Sequence, residues 1–250
     1  MPPRSPRRLP APHGDGEGAR VLVADVDPDE AERTVAAPRE RGFGAAASGC
    51  DVAGRASVET AVAHAVHTFG PLDVLVDDAA HRTPDAPRFE DEPDDAWATD
   101  LDVTLTGAYR CCRAALERLA ALGRGAIVNV GSVNGPQDFG EHASSAAEAG
   151  RVSLLCTLAG HAGPRGVRVG LVAPGAVRTR ARAGRDAEPE AARRLHPLGR
   201  VGEPEDVVAA VAFLASREAA RITGTILAVD GGVTAVDSGF RQAPGEPPPR

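Results

Sequence analysis

The sequence predicts an α/β fold, a single-domain doubly wound parallel sheet, and three observations predict it. Five short apolar runs recur along the chain, Val-rich and unalternated, each closed by a small or acidic residue. Such runs suit parallel strands buried on both faces, because a sheet covered by helices on either side shows neither face to water. Between the runs lie stretches whose apolar residues repeat at helical spacing and end at Gly or Gly-Pro. Strands alternating with helices of this length join through right-handed crossovers, and ligands in such sheets sit beyond the carboxyl ends of the strands.

The elements follow in order. Val21 to Ala24 form the first run, before Asp25; the helical pattern after it carries Pro38, which costs a backbone hydrogen bond unless that helix ends early. Val58, Val62, Val66 and Phe69 repeat at spacings of four, four and three, and Gly70-Pro71 stops them. Val74 to Val76 run into Asp77, and a stripe of Leu105, Tyr109, Cys112, Leu116 and Leu119 ends at Gly123. Ile127 to Val130 lead to Gly131 and Ser132. A helix from about Ala143 to Ala162 is closed by Gly163-Pro164, and Val169 to Ala173 precede Pro174. Pro204 suits the first turn of a helix carrying Val207, Val208, Val211 and Leu214, and Ile226 to Val229 end at Asp230. The domain is expected over residues 19–233, with residues 1–18 and 234–250, rich in Pro and Arg and without periodicity, expected to be disordered.

Composition narrows the function classes. All 28 basic residues are arginine, scattered against a net charge of −7, which argues against a nucleic-acid footprint. Apolar runs stay short of the roughly 20 residues that span a bilayer, so no membrane segment is expected. The four cysteines, Cys50, Cys111, Cys112 and Cys156, show no C-x-x-C spacing, and a reduced cytoplasmic protein is the expectation. His64 and His67 share a helix but lack further ligands, so no metal site is expected. Asp138 and His142 lie near Ser132, but without G-x-S-x-G around that serine a hydrolase is a poor reading.

From about Gly18 to Val233 the chain resembles the classical short-chain dehydrogenase/reductase family. Leu72 to Ala80 is similar to that family's strand ending in Asn-Asn-Ala-Gly, and Ile127 to Ser132 to the strand bearing its catalytic serine. Pro174-Gly175 followed by Thr179 resembles the segment over the nicotinamide. Pro197 to Arg200, Gly202 to Asp206 and Ile222 to Gly232 resemble the C-terminal signature. The resemblance implies a Rossmann-like sheet, NAD-linked interconversion of an alcohol and a ketone, and tetramers, either of this chain alone or with a relative. Asp25 is placed to accept hydrogen bonds from the adenosine ribose and to repel a 2′-phosphate, favouring NAD over NADP. Asp51-Val52 matches the adenine contact, or is a plain strand-end turn. Asp78, Ala79, Ala80, Pro174, Gly175 and Thr179 complete the implied cofactor set.

The chain departs from the pattern where the chemistry is. Ser132 is retained, but Ser144 stands at the position of the catalytic tyrosine, Glu148 at that of the lysine four residues on, and Thr104 at that of the relay asparagine. A serine hydroxyl is too weak an acid to replace a tuned phenol, and a lost general acid costs about 10²- to 10⁴-fold. Exchanging a cation for an anion at about 5 Å, with an effective dielectric near 20, turns roughly 3 kcal/mol of attraction into repulsion. Asp77 and Asp78 replace amides with carboxylates, and Ala80 adds a methyl where backbone should approach the cofactor. About 20 residues precede Val21 and hold no Thr-Gly-x-x-x-Gly-x-Gly turn, so the first βα unit is expected to be missing or replaced. Gly14 to Gly18 reads as linker. The reading is therefore an oxidoreductase fold with impaired catalysis; the alternatives are a non-catalytic subunit acting through oligomerisation, or a decayed or mis-started gene product.

Overall fold

The computed structural model describes residues 18–137, 139–178 and 196–236. Parallel strands alternate with helices throughout. The strands are β1 (Val21–Asp25), β2 (Ala45–Gly49), β3 (Val74–Asp77), β4 (Gly125–Val130), β5 (Val167–Pro174) and β6 (Thr225–Val229). The helices are α1 (Pro28–Glu40), α2 (Arg55–Phe69), α3 (Asp94–Asp100), α4 (Gly107–Ala121), α5 (His142–Ala162) and α6 (Pro204–Ala215). A wide helical segment, Leu101–Thr106, joins α3 to α4 with hydrogen bonds one residue longer than α-helical ones.

Among the described residues the strands form two parallel sheets, β1-β2 and β3-β4-β5-β6. The central pair β4-β5 runs from Gly125 opposite Val167 to Val130 opposite Val172. Its strands are buried on both faces, as their unalternated sequences require. On one face Ile127, Val169 and Leu171 pack with Leu116 and Leu119 of α4 and Leu155 and Ala159 of α5. On the other, Val128, Val130 and Val172 pack with Val207, Val211 and Leu214 of α6. The expected missing βα unit falls on residues 1–18, of which 1–17 lie outside the described residues, as do 237–250.

β2 and α3 escape the sequence patterns. β2 reads Ala-Ala-Ala-Ser-Gly, with no branched or aromatic residue to mark a strand, and is held by its ladder to β1. Pro38 does not end α1, which continues to Glu40. Standing in the last turn, it forfeits one amide bond, while the Pro38 carbonyl accepts Phe43 N–H at 3.0 Å and the Ala37 carbonyl accepts Arg41 N–H at 3.2 Å. Tyr109, expected in packing, is 49 % exposed.

The segment that resembles a family signature builds the entry to α6. Asp206 Oδ2 accepts Glu203 N–H at 2.8 Å, and both its oxygens take the Arg200 guanidinium, at 2.6 and 2.8 Å. That guanidinium and the amide hold the Asp206 carboxyl down at about 2, against the ordinary 3.8. A lowered carboxyl stabilises the fold above its unfolded value and loses that contribution as pH falls through its folded value. Urea unfolding midpoints of the parent and Asp206→Asn are therefore expected to differ at pH 6 and to converge between about pH 4 and pH 2. A difference that persists unchanged to pH 2 would contradict the pairing.

Candidate active site

The residues singled out by sequence gather at the carboxyl ends of the strands. Asp25 closes β1, is 8 % exposed, and accepts Asp27 N–H on Oδ1 at 2.9 Å. Burial pushes its carboxyl up, the Asp27 amide opposes that, and the Asp27 and Glu30 charges add to the rise. Beyond β2, Asp51 accepts Ala53 N–H, and its own N–H donates to Ser57 Oγ, both at 2.9 Å. Val52 ties the loop after β2 to α4: its carbonyl accepts Arg110 Nη1 at 3.2 Å, and its side chain packs so close to Gly107 that a Cβ there would lie 2.8 Å away. The adenosine half of a dinucleotide suits this arrangement, with a carboxylate at a strand end for the ribose hydroxyls.

Between β3, β4 and α5 lies a buried charge cluster. Arg151, fully buried on α5, holds Nη2 at 3.6 Å from Asp77 Oδ2 and 3.3 Å from Asn129 Oδ1. Its Nη1 is 3.5 Å from Glu148 Oε1 and 3.4 Å from the Ala79 carbonyl. Burial alone would lower the Arg151 pKa, but the Glu148, Asp77 and Asp78 carboxylates together raise it, so the guanidinium stays charged. Burial raises the Asp77 carboxyl, and Arg151 with the Ala79 N–H offsets this only in part. Glu148, expected from sequence to stand at the lysine position, is thus already paired with a cation. Arg151 is the buried charge that sequence reasoning missed; its one signal was the (i, i+3) spacing from Glu148, which places the two side chains on one helix face.

Glu148 also reaches the serine strand. A Cβ added to Gly131 would lie 2.8 Å from Glu148 Oε2, so this carboxylate packs directly against the backbone next to Ser132. Ser132 Oγ accepts Asn134 N–H at 3.1 Å, and Ser145 Oγ donates to the Asn134 carbonyl at 2.9 Å, docking the Ser132 loop on the start of α5. Ser144 is buried at that start. Pro174 ends β5 and Gly175 follows it; the Pro174 carbonyl accepts Val133 N–H at 3.2 Å and Gly175 lies against Asp230. Thr179, and Asp138 near Ser132, lie outside the described residues.

Thr104 is fully buried and its hydroxyl is committed to backbone: Oγ1 accepts His81 N–H at 2.9 Å and donates to the His81 carbonyl at 3.2 Å. It therefore clamps the loop after Ala80 to the wide helical segment. The His81 ring in turn meets the fully buried Asp100 through Nδ1, at 2.6 Å, and Asp100 also accepts Thr83 N–H and Thr83 Oγ1. Sequence patterns gave no sign of this pair, because Asp100 ends a helix, α3, that they did not mark, and its partner lies 19 residues away.

Comparison with known proteins agrees with this geometry. A family model described as enoyl-(acyl carrier protein) reductase matches residues 11–234. The cis-4-hydroxycyclohexanecarboxylate dehydrogenase of Sinomonas cyclohexanicum is 40 % identical over 221 residues, 88 % of each chain. The inactive 2-(S)-hydroxypropyl-CoM dehydrogenase 2 of Xanthobacter autotrophicus is 38 % identical over 234 residues, covering 88 % of this chain and 96 % of that one. The structure of a 7α-hydroxysteroid dehydrogenase complexed with NADH and 7-oxo glycochenodeoxycholic acid superposes with a TM-score of 0.80 at 26 % identity, covering 86 % of this chain and 84 % of the other. The family model and these relatives agree: the chain belongs to the short-chain dehydrogenase/reductase family of oxidoreductases.

Proposed function

We propose that this chain is an NAD-linked oxidoreductase for alcohol and ketone interconversion whose proton-transfer step is impaired. The observation that carries this is the pairing at α5: Ser144 and Glu148 stand at the tyrosine and lysine positions, and Arg151 neutralises Glu148 from the interior. NAD, when bound, supplies or takes the hydride. Asp25 would hold the adenosine ribose, with Asp51 and Val52 beside the adenine, and Ala79, Ala80, Pro174 and Gly175 along the nicotinamide half. Ser132 orients the substrate oxygen. Neither Ser144 nor the neutralised Glu148 offers a phenol or a cation to the carbinol oxygen, so its proton is exchanged without the usual acid.

Turnover of a ketone panel with NADH is expected to be slow and lost in Ser132→Ala, with NADH preferred over NADPH and that preference narrowed in Asp25→Asn. A flat trace in a chain that nonetheless binds NADH would overturn catalysis and leave the second reading. That reading is a non-catalytic subunit acting through self-association, or association with an active relative, and is favoured by the relative named as inactive. Trp97, Tyr109, Phe213 and Ile226, each at least 39 % exposed, offer apolar surface for such an assembly. Light scattering that returns a monomer at micromolar concentration, together with pull-downs that return no partner, would count against it.

A further inference from the structure

We propose that Asp85, Glu92 and His142 form a binding site for a divalent transition cation of the zinc class, at the mouth of the site between the loop after β3 and the start of α5. Asp85 and Glu92 come from the connection between β3 and α3 and His142 from the start of α5, and their ligand atoms lie within 4.8 Å of one another. His142 Nδ1 is 3.2 Å from Glu92 Oε1 and 3.3 Å from Asp85 Oδ1. Tetrahedral zinc with bonds of about 2.0–2.1 Å to nitrogen and oxygen sets its ligand atoms roughly 3.3 Å apart, which matches the two distances from His142 Nδ1.

The ring is not closed onto either carboxylate: charge-assisted N–H···O bonds run at about 2.7–2.9 Å, whereas His142 Nδ1 is shared between two oxygens at 3.2 and 3.3 Å. In the same molecule the His81 and Asp100 pair closes to 2.6 Å. The imidazole also separates this group from a plain acidic cluster, since a neutral ring nitrogen is the commonest transition-metal donor.

The carboxylates are held in direction before any cation arrives. Asp85 Oδ2 accepts Glu141 N–H at 2.7 Å and Asp85 Oδ1 accepts His142 N–H at 2.9 Å. Glu92 Oε1 accepts Ala86 N–H at 3.1 Å, and the Phe89 ring meets the His142 ring edge-on, 5.0 Å between centroids. Amides of this kind orient ligating oxygens and leave further lone pairs for the metal. Glu92 is mostly covered and His142 is 44 % exposed, so a fourth position faces water, as in zinc sites that bind or activate a ligand.

The test is independent of the catalytic reading. The full chain, freed of metal by chelator and dialysis, is titrated with Zn²⁺ by calorimetry and with Co²⁺ by visible absorption. One saturable equivalent is expected, with the intense bands of tetrahedral Co²⁺. Binding should disappear in His142→Ala, weaken more than about tenfold in Asp85→Asn and Glu92→Gln, and persist in His64→Ala. Should His142→Ala melt without a cooperative transition, the two carboxylate variants, which keep their amide acceptors, decide the matter. Absence of saturable binding by the parent, or affinity unchanged across the carboxylate variants, overturns the proposal.

Discussion

Arg151→Met is expected to destabilise the fold by about 3–5 kcal/mol, because it leaves the buried Asp77 and Glu148 carboxylates without their cation. A whole domain is stable by only about 5–15 kcal/mol, so this one change removes a large share of the margin. The size follows from burial. Exposed pairs such as Arg88 with Asp91 contribute at most about 1 kcal/mol, since water solvates either partner alone. Around Arg151 no water replaces the lost partner: Asp77 and Glu148 are 4 % and 5 % exposed and would repel each other and Asp78. Adding Asp77→Asn and Glu148→Gln to Arg151→Met is expected to recover most of the loss, because the deficit lies in unpaired charge rather than in missing volume. Urea unfolding of the single and triple variants measures both numbers. A loss below about 1 kcal/mol in Arg151→Met would show that the carboxylates are protonated in the fold and need no cation.

That cluster also marks where sequence reading stopped. Val-rich runs placed β1 and β3 to β6 within two residues, and Gly-Pro stops placed the ends of α2 and α5, because those signals are local and act through backbone sterics. β2 was invisible because an alanine run carries no preference that its neighbour β1 does not impose. The departures at Ser144, Glu148 and Thr104 were legible one residue at a time. Their consequences were not, since those depend on partners far along the chain. Asp77 and Ala79 meet Arg151 across more than 70 residues, and Thr104 is committed to His81. Read from sequence, Glu148 is a lone anion opposing an oxyanion; in the fold Arg151 already answers it, and no arrangement of neighbours along one helix face reveals that the pair is sealed from water.

Restoring the proton-transfer pair is expected to raise turnover by about 10²- to 10⁴-fold, but only in one combination. Glu148→Lys alone would set an ammonium beside the Arg151 guanidinium, whose Nη1 lies 3.5 Å from Glu148 Oε1, leaving two buried cations against Asp77. Arg151→Leu alone leaves two carboxylates without a cation. Together the two changes return a single positive charge facing Asp77, now at the lysine position, where it lowers the pKa of a neighbouring phenol. Ser144→Tyr supplies that phenol. The triple variant is therefore expected to gain what no single change gains, a coupling that a mutant cycle on both stability and NADH-dependent ketone turnover would expose as strongly non-additive. Its pH profile should acquire one ionisation below the ordinary phenol value of about 10, which the parent lacks. If the triple variant folds cooperatively and binds NADH yet turns over no faster, acid–base chemistry is not what limits the chain. The obstacle would then lie in Thr104, held by His81 rather than available for a relay, and the fold would have been committed away from catalysis at more than the tyrosine and lysine positions.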